Sequence, residues 1–98
     1  MLRHIVLIQW VDGMAAEQVE RVSAALGALP AQIDTIRAYT FGQDLRLGEG
    51  RWDFAIVADF DDVDGWRTYD RHSLHDQARA EEIVPYVAGR ASVQFDLG

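Results

Sequence analysis

Residues 2–11 read Leu2-Arg3-His4-Ile5-Val6-Leu7-Ile8-Gln9-Trp10-Val11 and run into the turn pair Asp12-Gly13. β-Branched and aromatic side chains dominate the run, so it predicts a first strand. Successive side chains leave a strand on opposite sides: Ile5 and Leu7 on one, Val6, Ile8 and Trp10 on the other. Both sides are apolar. A sheet built on this strand therefore has two faces to cover, where an ordinary antiparallel sheet leaves one to water.

Beyond this strand, residues 15–29 change period. Val19, Val22, Leu26 and Leu29 fall on one stripe and Glu17, Gln18, Glu20 and Arg21 on the other, the spacing of an amphipathic helix. Pro30 is expected to close it. A second strand is expected from Thr35 to Phe41, after which Gly42 opens a polar loop carrying Gly48 and Gly50. A third is expected from Trp52 to Phe60. Asp61 and Asp62 are the expected N-caps of a helix through Tyr69. After a break near Ser73 the helical pattern resumes through Val84 to Pro85. A last strand, Ala91 to Leu97, places Ala91, Val93 and Phe95 on one side and Ser92, Gln94 and Asp96 on the other.

The order β-α-β-β-α-β is the ferredoxin-like arrangement, an α+β fold. Its right-handed crossovers set both helices on one face of a four-stranded antiparallel sheet. The helix-free apolar face is expected to be covered by a second copy, giving a homodimer and a dimeric α+β barrel. An edge-paired dimer or a monomer is the alternative.

The 98 residues make one domain, 1–98, with 49% apolar and 26% charged residues, a globular composition. A net charge of −7 opposes binding to nucleic acid or to anionic membranes. No Cys is present, which removes thiolate nucleophiles and thiolate metal sites. All nine basic residues are Arg, so lysine Schiff-base chemistry is excluded. No apolar run approaches the ~18–20 residues of a membrane span. With no signal-peptide pattern, a cytoplasmic location is expected.

The three histidines are His4, near the start of the first strand, and the pair in Tyr69-x-x-His72-x-x-His75. In this topology the start of strand one lies against the end of strand four, and strand three ends there as the second helix departs. His4, Tyr69, His75 and Asp96 are thus expected to line one half-buried cavity between sheet and second helix. Each has a plainer reading: His4 as a hydrogen-bonded core residue, Tyr69 as a core neighbour of Trp66, Asp96 as a solvated carboxylate. His-x-x-His lacks a third ligand at metal-protein spacing, so no metal is expected. Trp10, Trp52 and Trp66 read as packing residues, and Asp59-Phe60-Asp61-Asp62 as a strand end with a cap. Arg46 and Arg51 flank the Gly-rich loop without the spacing of a phosphate site.

Arg3-His4-Ile5-Val6-Leu7, the Gly42-x-Asp44 turn, Asp53-Phe54-Ala55, Tyr69-x-x-His72-Ser73-Leu74-His75 and Val93-Gln94-Phe95-Asp96 together resemble the Dabb family, the stress-responsive dimeric α+β barrel domain. The resemblance covers essentially the whole chain and implies the fold and dimer described above. One branch, the olivetolic acid cyclase-type polyketide cyclases, closes a linear polyketide by intramolecular aldol condensation. Its functional residues correspond in type to His4, Tyr69, His75 and Asp96. The chain departs from the family at Ser73, where Pro is usual. Ser73 is expected to cap the next helical segment with Asp76 three residues on.

The resemblance implies a cofactor-free enzyme. Asp96 would accept a hydrogen bond from one ring nitrogen of His75, whose other nitrogen would take an acidic proton between two carbonyls. Tyr69 would donate to the carbonyl oxygen as charge develops. His4, and less directly His72, would bind substrate. The implied ligand is a small apolar or polyketide-like molecule. The alternatives are a non-catalytic stress-response protein that binds a small apolar ligand, and a cofactor-free oxygenase.

Overall fold

The computed structural model describes residues 1–50 and 52–98. Arg51, singled out above beside the Gly-rich loop, lies outside the described residues. The strands are β1 (Leu2–Trp10), β2 (Ile36–Gln43), β3 (Phe54–Phe60) and β4 (Val87–Asp96). The helices are α1 (Ala16–Gly27), α2 (Leu29–Gln32), α3 (Val63–Asp70) and α4 (Ser73–Ala78). A π-helical turn, Arg79–Ile83, and a 3-10 turn, Val84–Tyr86, join α4 to β4. The sheet runs β2-β3-β1-β4 with every neighbouring pair antiparallel, the ferredoxin-like fold.

Alternation along β1 decides how the sheet is dressed. His4, Val6, Ile8 and Trp10 point beneath the helices and are buried. The register aligns them with Ala58, Ile56 and Phe54 of β3, which are buried on the same face. From α1, Val19, Val22 and Leu26 close over this layer, joined by Leu29 and Ile33. Removing a side chain such as Leu26 from water contributes about 1.5–3 kcal/mol.

The other face carries Ile5, Leu7, Val57, Val93 and Phe95, aligned by the register Ile5↔Val57 and Ile5↔Val93. Val93 remains 56% and Phe95 46% exposed, so the helix-free face is apolar and open in one chain. The same face holds a forked ion pair: Arg3 Nε and Nη2 donate to Asp59 Oδ1 and Oδ2 at 2.8 and 2.9 Å. The guanidinium holds the Asp59 carboxyl below its usual range.

Local chemistry moves some boundaries. Pro30 does not close α1. It occupies the first turn of α2, where a missing N–H breaks no helical bond. β4 begins at Val87 rather than Ala91, because the Gly89-Arg90 pair has weak strand propensity and hid its first residues. An added Cβ at Gly89 would lie 3.1 Å from Gln9 Oε1, so that side chain would have to shift to admit one. Asp62 caps α3 as expected, its Oδ1 accepting from Gly65 N at 2.8 Å. The next cap differs from expectation. His72, not Ser73, is the N-cap of α4, and its Nδ1 accepts from Leu74 N at 3.1 Å.

Candidate active site

The kink between α3 and α4 turns His75 back toward the sheet. A cavity of about 300 Å³ lies there, beneath α4 and the π-helical turn. Val6, Ile8 and Ile56 form its apolar floor, while His4, Tyr69, His75, Arg79 and Arg90 supply its polar atoms. The volume is at the small end of ligand pockets, about 300–1,000 Å³. Of the residues singled out from sequence, His4, Tyr69 and His75 are brought together here, each buried at 3–7% exposure.

The hydrogen bonds assign the two imidazoles opposite tautomers. His75 Nδ1 lies 3.3 Å from the carbonyl oxygen of Asp70. That oxygen only accepts, so Nδ1 carries the proton and Nε2 is left with its lone pair. At His4, the Gln94 side-chain amide donates to Nδ1 at 2.9 Å, which leaves the proton on Nε2. One ring is a base and the other a donor. Burial lowers the pKa of both below the ordinary 6.5, and the charge of Arg90 adds to the effect at His4. Both rings are neutral at pH 7.

Tyr69 packs on His75 with ring centroids 4.1 Å apart. Its hydroxyl is 2.8 Å from that of Tyr39. Burial raises the pKa of both phenols, that of Tyr39 the more strongly, so both stay protonated. With Tyr39 as the donor, the Tyr69 proton is free to point elsewhere. The sequence reading does not single out Tyr39. Its signal is its position in β2, opposite Ala58 and on the helix-covered face, which depends on the β2–β3 register.

Two expected residues are elsewhere. Asp96 does not meet His75. It pairs with Leu2, two residue pairs beyond His4↔Gln94 and therefore about 6–7 Å farther along the strands. There its side chain is 81% exposed, accepts from Gly98 N at 3.0 Å and lies 3.4 Å from the N-terminal ammonium. The Asp70 carbonyl holds the His75 ring instead. A backbone acceptor has no residue type, so no sequence pattern announces it. His72 is absent from the cavity lining because its ring caps α4. His72 and His75 consequently diverge, and among the described residues no group of three or more His, Asp or Glu side chains is placed to hold a metal ion. No helix among the described residues is long and apolar enough to cross a membrane.

Comparison with known proteins agrees with this architecture. Residues 2–97 match the family profile Dabb, the stress responsive A/B barrel domain. A dimeric ferredoxin-like protein of unknown function from Thermobifida fusca YX is 48% identical, with 98% of this chain and 90% of that one aligned at a TM-score of 0.91. A dimeric protein of ferredoxin-like fold from Bacteroides fragilis is 29% identical, with 98% and 95% aligned at 0.86. The hydroxynitrile lyase of Passiflora edulis shares the fold at 17% identity, with 99% and 93% aligned at 0.85. No curated protein matches the chain.

Proposed function

The chain belongs to the Dabb family of stress-responsive A/B barrel domains, and from that premise we propose that it is a cofactor-independent enzyme of the polyketide-cyclase or lyase kind, acting by proton transfer on a small carbonyl compound. The observation that carries the proposal is the His75 Nδ1–Asp70 carbonyl contact, which leaves Nε2 unprotonated beside Tyr69 in an apolar cavity. Nε2 takes a proton from the carbon between two carbonyls. The electron pair of that C–H bond becomes an enolate, whose oxygen receives hydrogen bonds from Tyr69 Oη–H and His4 Nε2–H. In a cyclisation the enolate carbon attacks a second carbonyl of the same molecule. One C–C bond forms, the C=O π pair becomes an alkoxide, and the His75 proton neutralises it. Tyr39 acts as a positioning residue, holding the Tyr69 hydroxyl oxygen.

The functional unit is proposed to be a homodimer through the helix-free face. Exposed Val93 and Phe95 on that face support it, as does the dimeric description of the 48%-identical Thermobifida protein. Replacing Val93 with Arg would force an unpaired charge into such a contact and yield monomers by sedimentation. A variant that stays dimeric would place the contact elsewhere.

The test of chemistry uses methyl 3,5,7-trioxooctanoate, in which attack of C2 on the C7 carbonyl closes a six-membered ring, in D₂O, with deuterium uptake and ring closure followed by NMR. His75→Ala is expected to slow turnover about 10²–10⁴-fold, and Tyr69→Phe less. Unchanged rates in both variants would refute the mechanism. Binding without exchange in the parent protein would favour the reading that the cavity stores an apolar ligand, for which its apolar floor is the supporting observation.

A further inference from the structure

The cavity carries a charge that the proton-transfer reading leaves unused. Arg90 lies on the helix-covered face of β4, opposite Ile8, and lines the cavity. Among the described residues, Arg3, Arg37, Arg46, Arg67 and Arg79 each meet an aspartate. Arg90 meets none, although acidic residues outnumber basic ones 16 to 9. Among the described residues Arg21 and Arg71 likewise meet no carboxylate, and all three are exposed, but only Arg90 lines this cavity. Of the two cavity arginines, Arg79 is occupied by Asp70 and Asp76. With both histidines neutral, Asp70 cancels one guanidinium and the lining keeps a single positive charge. A protein of net charge −7 thus presents a cationic hollow, and field lines in a low-dielectric cleft favour an anion there.

Building on the proton-transfer reading of this site, we propose that its substrate bears a carboxylate and that Arg90 is the specificity-determining residue that holds it. The guanidinium fork matches a carboxylate with two parallel hydrogen bonds. Docked on Arg90, an acid of one-ring size is anchored at one end. Its carbonyl-bearing carbons then fall on the side of the cavity where His4, Tyr69 and His75 gather. Arg90 touches substrate but exchanges no proton with it, so its contribution is to affinity and orientation.

Calorimetric titration of the intact protein with 2,4-dihydroxybenzoate and with its methyl ester tests this. The acid is expected to bind about three- to tenfold more tightly than the ester, and the difference to shrink with added salt. Arg90→Gln should abolish the preference by weakening the acid more than the ester, and Arg21→Gln, outside the cavity, should leave both affinities unchanged. Equal affinities in the parent, a preference that survives Arg90→Gln, or displacement of the acid by millimolar inorganic phosphate would overturn the carboxylate assignment. So would conversion of a dimer to monomers by Arg90→Gln, which would put the guanidinium in a subunit contact. If neither compound binds, both this assignment and the small-ligand cavity beneath it fall. An acid preference without turnover of any 1,3-dicarbonyl would sink the proton-transfer reading alone and leave Arg90 as an anion site.

Discussion

The helix-covered face of the sheet is one surface with two characters. Toward β2 and β3 it is filled by rings: Phe54 lies 5.6 Å from Trp10 and 6.3 Å from Phe41, and Phe41 lies 6.0 Å from Tyr39. Toward β1 and β4 it is hollow, because β4 contributes Arg90, Ser92 and Gln94 to this face instead of apolar bulk. The segment above it leaves the α-helical path for a π turn and then a 3-10 turn. Irregular turns of this kind recur at functional sites. The fold thus places its ring packing in one half and the polar groups of the cavity in the other. Tyr69 stands at the seam, its ring against Phe60 at 5.2 Å and its hydroxyl on Tyr39.

The largest effect expected from this division is on stability. Phe54→Ala, in the filled half, should cost about 3–5 kcal/mol in urea unfolding. His75→Ala, beside an existing cavity, should cost about 1 kcal/mol or less, since it mainly enlarges a hollow that is already there. Equal losses would erase the distinction between the halves.

Across the seam, Tyr39→Phe removes the hydroxyl partner of Tyr69 without emptying the ring stack. It should lower kcat by about tenfold, near 1.4 kcal/mol, and leave KM and the unfolding midpoint almost unchanged. A parallel fall in stability would make Tyr39 a packing residue only.

The gentlest perturbation is acid. His4 and His75 bind protons less readily folded than unfolded, because burial penalises their charged forms. Between the folded value and 6.5 the unfolded chain therefore holds more protons, so stability should be level above about pH 6.5 and decline as pH drops below it. The same depression keeps His75 a base under mild acid, so the acid limb of kcat/KM should turn over below pH 6.5. A limb centred above 6.5 would contradict it.

How far the sequence reveals these halves depends on where their signals lie. The β1 alternation by itself places His4, Val6, Ile8 and Trp10 on one face, and Asp62 announces the start of α3. Those features are local in the chain. Tyr39 and Gln94 become visible only through strand register, since a one-residue slip would turn each to the opposite face. The Asp70 carbonyl is invisible for a different reason, being backbone. Asp96 misleads because it shares the face of His4 yet lies two residue pairs beyond it. His72 misleads because a histidine ring seldom serves as a helix cap, and a following Ser is the more usual choice.

The opposite tautomers of His4 and His75 are the point on which the chemistry turns, and long-range ¹H–¹⁵N correlation NMR of the imidazole rings at pH 7 reads them directly. The expected spectrum has His75 protonated at Nδ1 and bare at Nε2, with His4 bare at Nδ1 and protonated at Nε2. A His75 ring protonated at Nε2, or carrying both protons at that pH, would contradict it.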